Sequence, residues 1–172
     1  MLNCINDYNG DSTKYFSWGD KIGKNKNGTG SYSFSQANYK AGACGSGHTL
    51  TGDIPQGNAT YDAARANMGS TWKMPTGAQI QELIDCTKST YITLNGVNGR
   101  KFAYYANSSK YIFLPAGGYW DQTYLRDGKY QGRYWSTQWH DFTFESSLVF
   151  DNASLDKSIT DRTSGYSIRG IR

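Results

Sequence analysis

Apolar and polar positions change their spacing along the chain, and each change predicts a different kind of element. Tyr15-Phe16-Ser17-Trp18-Gly19-Asp20 is an aromatic run stopped by Gly-Asp, which predicts a short strand. Residues 21–60 are Gly, Asn, Ser, Thr and Lys with scattered rings (Tyr32, Phe34, Tyr39), and predict a loop-rich insertion with brief strands at most. Helical spacing then sets in. Tyr61 to Met68 predicts a first helix, with Asn58 or Thr60 as its cap, Asp62 in the first turn and Gly69 as its stop. A second helix starts at Thr76, because Thr76-x-x-Gln79 is the spacing at which two side chains cap each other's backbone amides. Ile80, Leu83 and Ile84 fall on one face of it, and Cys86 near its end reads as a small core residue.

Beyond residue 90 the period shortens to two. Tyr91-Ile92-Thr93-Leu94 and Lys101-Phe102-Ala103-Tyr104-Tyr105 predict a hairpin around the turn Asn95-Gly96-Val97-Asn98-Gly99. Tyr111 to Leu114, closed by Pro115, predicts a further strand, as do Arg133–Ser136, Ser147–Phe150 and Tyr166–Arg172. Two helices followed by many short strands give an α+β class rather than alternating βαβ units. At 172 residues the chain suits one domain, 1–172.

Between these elements, 120–132 and 138–163 have no regular pattern. They are bracketed by firm aromatic and glycine punctuation, which is the layout of a display surface. Composition sharpens the picture: 15% of residues are aromatic and only 19% charged, with 14 tyrosines and 20 glycines. Rings with a polar edge suit loop-rich β structure and binding surfaces, and this balance argues against disorder. The net charge of +4 comes without a dense basic face, since Lys21, Lys24 and Lys26 stand in a Gly/Asn-rich loop; nucleic acid is not an expected partner. No stretch reaches the roughly 18 apolar residues of a membrane span, so no membrane insertion is expected, and no signal peptide is visible. Cys4, Cys44 and Cys86 fit one disulfide plus a thiol, or three thiols, equally well.

The ordered motifs resemble the C-type-lectin-like domains known as the Fibrobacter succinogenes major paralogous domain. The carriers are Tyr15-Phe16-Ser17-Trp18-Gly19, Tyr61-Asp62-Ala63-Ala64-Arg65-Ala66-Asn67, Trp72-Lys73-Met74-Pro75-Thr76 and Gln81-Glu82-Leu83-Ile84. They continue with Asn95-Gly96-Val97-Asn98-Gly99, Ile112-Phe113-Leu114-Pro115-Ala116-Gly117-Gly118-Tyr119, Tyr134-Trp135-Ser136-Thr137 and Gly165-Tyr166-Ser167-Ile168-Arg169. The resemblance implies a C-type lectin-like fold, with two short helices on twisted antiparallel sheets and Trp18, Trp72 and Trp135 in the core. Such domains recur as the variable proteins of diversity-generating retroelements, where adenine-directed mutagenesis rewrites a C-terminal segment. It also implies a ligand-binding protein with a hypervariable face within 119–163, and a partner, protein or glycan, on a cell or virion surface. Adenine substitution in an Asn codon cannot yield Trp or Gln, which sets Trp120, Gln122, Gln138 and Trp139 apart as frame residues.

The expected face has an aromatic–polar centre of Tyr119, Asp121, Tyr124, Trp139, His140 and Phe142. Gln138, Asp141, Thr143, Asp151 and Asn152 form its polar edge; Asp151 and Asn152 read equally as turn residues. Catalysis is not expected, because His48 and His140 stand apart from any Ser or Cys nucleophile pattern. Calcium would need six to eight oxygen ligands, and neither Pro55-Gln56 nor Phe150-Asp151-Asn152 matches the tripeptides of calcium-dependent sugar-binding lectins. Zinc lacks a cysteine pair near either histidine, so no cofactor is expected. A fixed glycan-binding adhesin and a structural fimbrial or phage-tail component are the alternative readings.

Overall fold

A computed structural model describes residues 14–25, 34, 44–45, 47–48 and 50–172. Cys4 and the rings Tyr32 and Tyr39 lie outside them, as do the side chains of Cys44 and His48. The described residues contain twelve strands and two short helices, and every strand pair is antiparallel, so the class is α+β.

The strands form small sheets. β1 (Lys14–Tyr15) pairs β2 (Lys24–Asn25), and β3 (Cys44–Gly45) pairs β4 (Gly47–His48). Helix α1 (Ala63–Met68) and helix α2 (Gly77–Asp85) follow. β5 (Thr87–Leu94), β6 (Val97–Tyr104) and β7 (Asn107–Pro115) form a meander. β8 (Tyr119–Asp121) and β9 (Tyr124–Arg126) make a small hairpin. β10 (Gly132–Trp139), β11 (Phe144–Phe150) and β12 (Leu155–Asp161) close the fold as a three-stranded sheet.

Several boundaries differ from the sequence expectations, each for a local reason. α1 begins two residues late, and its cap is Asp62 rather than Asn58 or Thr60. The fully buried Asp62 carboxylate accepts from the backbone amides of Gly57, Arg65 and Met74, so it ties three segments together. Asn58 instead caps the preceding turn, accepting from the amides of Thr60 and Tyr61. The Thr76–Gln79 capping box is present as expected. Only Asn95 and Gly96 turn the β5–β6 hairpin, with φ of 50° and 80°, so Val97 to Gly99 belong to β6. Cys86 ends α2 exposed and as a free thiol rather than in the core.

The end of the supposed insertion is frame. Ile54 is buried and its amide donates to the Thr137 carbonyl at 2.9 Å, while Gln56 Nε2 donates to the Met74 carbonyl at 2.7 Å. At the C-terminus, Tyr166–Arg172 forms no strand of its own. Successive residues of an extended chain point their amides to opposite sides. Tyr166 therefore exchanges bonds with Phe16, while Ser167 bonds Arg133 and Trp135 on the other side. The segment is inserted between partners without building a ladder along either.

β10 separates two cores by its period of two. Trp135 faces a cluster with Phe16, Trp18, Ile54, Met74, Tyr166 and Ile168. Tyr134, its neighbour, faces Ile80, Phe102, Leu114, Leu148 and Phe150. Trp18 and Trp135 are fully buried, whereas Trp72 is only half-buried, with the Arg172 guanidinium 5.1 Å from its ring. No helix of the described residues is long and apolar enough to cross a membrane.

Candidate functional site

A bulge in β10 creates the first surface. Trp135 pairs with Ser147 but Trp139 pairs with Glu145, so four steps on β10 oppose two on β11. The extra residues bend the strand and throw 140–143 clear of the sheet. Trp139 itself stays anchored: its amide donates to Asp53 Oδ1 at 2.9 Å and its ring is half-buried against the first core. Gln138 is likewise half-buried, packed over Gly77.

Beyond Trp139 the loop is held by its backbone and the Asp141 carboxylate while its other side chains face out. Asp141 Oδ1 accepts from the amides of Thr143 (2.7 Å) and Phe144 (2.8 Å), and the Asp141 amide donates to the Phe144 carbonyl. These backbone donors hold the Asp141 carboxyl below the usual range, so it is an acceptor at neutral pH. From beneath, Glu145 Oε2 accepts from the His140 amide at 3.1 Å. Arg162 donates through its amide to the Thr143 carbonyl and through Nη1 to the Phe142 carbonyl. Glu145 and Arg162 are joined at 2.7 Å and completely buried.

Above this support the side chains of His140, Phe142 and Thr143 are exposed, and Phe142 is 57% accessible. His140 Nε2 lies 3.9 Å from Asp141 Oδ2, and Phe142 meets Trp139 edge-on at 6.0 Å. The arrangement offers a ring, an imidazole and a carboxylate on a fixed loop, which suits surface recognition. Replacing His140 and Phe142 together with alanine is expected to shift the melt by no more than about 0.5 kcal/mol. A loss of several kcal/mol in denaturant unfolding would place these side chains in the core.

The β8–β9 hairpin carries the second group. Tyr124 is 63% accessible, with the Arg126 guanidinium 5.3 Å from its ring, and Asp121 pairs with Arg126 at 3.5 Å. Tyr119 belongs instead to the frame. Its ring sits 3.7 Å beneath the Arg133 guanidinium and edge-on to buried Tyr166. Trp120 stacks with Phe34 and pairs through its backbone with Gly165.

One short segment links the two groups. Arg162 bonds Thr143 and Gly165 bonds Trp120, and three extended residues span at most about 11 Å. The hairpin tip and loop 140–143 therefore share one end of the molecule. Asp151 and Asn152 do not join them. They lie at the other end of β11, about 20 Å from Phe144 at strand rise. There Asp151 Oδ1 accepts from the amides of Ala153 and Ser154, closing the β11–β12 turn.

The stretch 138–163 is also less free than its irregular pattern implied. Glu145 to Leu148 and Phe150 are buried, and β12 crosses its second half. The pattern fails because Glu145 and Ser147 are polar residues whose partners lie elsewhere in the chain: Glu145 meets Arg162 at 2.7 Å, and Ser147 Oγ lies 3.0 Å from Thr160 Oγ1. Glu145 and Arg162, the supports of the loop, carry no spacing signal that would have revealed them. Among the described residues no three His, Cys, Asp or Glu side chains converge as metal ligands would. No family model, curated protein or solved structure matches the chain.

Proposed function

We propose that this chain is a C-type-lectin-like domain of the Fibrobacter succinogenes major paralogous type that recognises a macromolecular ligand. Its recognition surface is loop 140–143 together with the hairpin tip at Asp121 and Tyr124. One observation carries the reading: exposed, chemically varied side chains stand on a backbone fixed from below by buried groups. A loop of that build accepts side-chain change at little cost to the fold, which is what a diversified protein needs.

The burial of the motifs behind the resemblance supports it. Tyr15 to Trp18, Ala63-Ala64, Met74-Pro75, Leu114 to Ala116, Tyr134 to Thr137 and Gly165 to Arg169 are all buried. They are scaffold, and the residues between them are where a ligand would be met. The ligand would be a protein or glycan on a cell or virion surface, bound by shape and hydrogen bonding without a reaction step.

The test lies in the surrounding DNA. A near-identical repeat of the 3′ coding end beside a reverse transcriptase gene is expected, with mismatches at template adenines. Those mismatches should fall on the codons of His140, Phe142, Thr143 and Tyr124, and should spare Glu145, Arg162 and Trp135. Absence of such a repeat would refute diversification and leave a fixed binding or structural domain.

A further inference from the structure

Protein interiors are close-packed and leave few voids larger than a water molecule. The second core nevertheless holds a cavity of about 150 Å³ between α2, β7, β10 and β11. Ile80, Leu114, Tyr134 and Leu148 form its buried wall, and half-buried Leu83, Ile112 and Ile171 stand at its mouth. The C-terminal segment adds Arg169, which is only 7% exposed. We propose that this cavity binds a small monocarboxylate, an aromatic or short aliphatic acid with an apolar body of about six carbons. No residue of loop 140–143 or of the β8–β9 hairpin lines it, so the site is separate from the proposed recognition surface.

Size and lining select the body of the ligand, and charge selects its head. A hollow of about 150 Å³ walled by aliphatic and aromatic side chains stays dry and takes a molecule of benzene's size. Arg169 is the one charged residue of the lining, which contains no Asp or Glu. A guanidinium presents a planar fork of donors that matches a carboxylate, and its attraction grows where apolar walls exclude water. A monocarboxylate meets both requirements in one small molecule. A sugar or a phosphate ester would bring more polar surface than these walls can satisfy.

Bonds made elsewhere hold the hollow open. The Tyr134 hydroxyl donates to the Pro115 carbonyl at 2.7 Å and its ring stacks on Phe150 at 6.1 Å, which keeps that ring from turning inward. Gln79 also lines the cavity, and its Oε1 accepts from the Thr76 amide at 2.9 Å and from Gln56 Nε2 at 2.8 Å, which fixes the side chain at the rim. Ile171 exchanges backbone bonds with Lys73 at 2.8 and 2.9 Å, anchoring the C-terminal wall. Walls tied to other segments collapse only partly into a space between them, and a site fixed before binding loses little freedom on contact.

The experiment is a titration of the whole chain with benzoate, phenylacetate and hexanoate, followed by NMR of its methyl groups at about pH 7, where the acids are ionised. Acetate serves as the head without a body, and benzyl alcohol as the body without a charge. At least one of the three acids is expected to saturate with a dissociation constant on the order of 1 mM, shifting the methyls of Ile80, Leu114 and Leu148. Acetate and benzyl alcohol should each bind at least about tenfold more weakly. Leu83→Phe, which fills the mouth, should weaken the acid by a similar factor; the methyl shifts of the parent place the ligand even if that variant does not fold. No saturation by any acid up to about 20 mM would overturn the proposal. So would benzyl alcohol binding as tightly as benzoate, methyl shifts confined to residues away from the cavity, or equal binding by folded Leu83→Phe. None of these outcomes bears on the retroelement repeat, so the two readings fail separately.

Discussion

Arg162→Ala is expected to cost about 3–5 kcal/mol of stability, a fall in melting temperature on the order of 10 °C for a domain of this size. The side chain is wholly enclosed, its Nη2 is 2.7 Å from Glu145, and its guanidinium lies 5.0 Å from the Trp18 ring. Truncation leaves a cavity beside Trp18, strips the Phe142 carbonyl of a donor and removes the cation from a sealed carboxyl. Loop 140–143 should loosen with it, because the Phe142 carbonyl in its middle hangs from the Arg162 side chain, although the residue-162 amide still holds the Thr143 carbonyl. Faster amide exchange at Thr143 and Phe144 would register that loosening.

The same pair sets a pH dependence. Burial pushes the Glu145 carboxyl up to about 8, against the opposing pull of Arg162 and the His140 amide. A raised acid holds its proton more tightly in the folded state than in the unfolded one. Its contribution is therefore complete below the ordinary carboxylate range and is lost as the pH rises towards about 8. Glu145→Gln has no proton to lose, so melts from about pH 5 to about pH 9 should show the parent falling relative to this variant. A parent that gains on Glu145→Gln across that window would contradict the assignment, as would an unchanged melt for Arg162→Ala.

Trp135→Ala is expected to cost a similar amount, about 3–5 kcal/mol, by a different route. The indole is fully buried, stacked on Tyr166 at 4.2 Å, and its Nε1 donates to the Phe16 carbonyl at 2.7 Å. Its loss empties the centre of the first core and leaves the Phe16 carbonyl short of a donor. Because Phe16 and Tyr166 also pair through their backbones, the damage should spread to the junction of the early and late segments. Denaturant unfolding measures it directly. A melt like that of the His140/Phe142 variant would mean that Trp135 is not the scaffold centre described here.

Much of the fold could be read locally. The capping box at Thr76 and Gln79 and the Asn95-Gly96 turn depend on residues within a few positions of one another, so their signals survive in a short window. Asp62 shows where such reading stops. Its position marked the first turn of a helix, but its cap role follows from bonds to Gly57 and Met74, which only the folded chain brings near. Cys86 and Trp72 were misplaced for a related reason: residue type suggests burial, but the packing around each position decides it.

The candidate site divides in the same way. Its aromatic and polar residues at 138–143 stood out in the sequence because an irregular stretch followed an ordered one. Their separation from Asp151 and Asn152 did not, since a strand of buried residues lies between and carries the two groups to opposite ends. By itself the sequence determined the α+β class, the cap of α2, the Asn95-Gly96 turn and the aromatic character of the exposed loop. Tertiary structure alone decided which polar residues are buried supports, how Arg162 reaches Glu145, and which candidates share an end. Local hydrogen bonding and periodicity act over a few residues, whereas the buried Glu145–Arg162 contact, a bulge and an interleaved C-terminal segment exist only once distant parts of the chain have met.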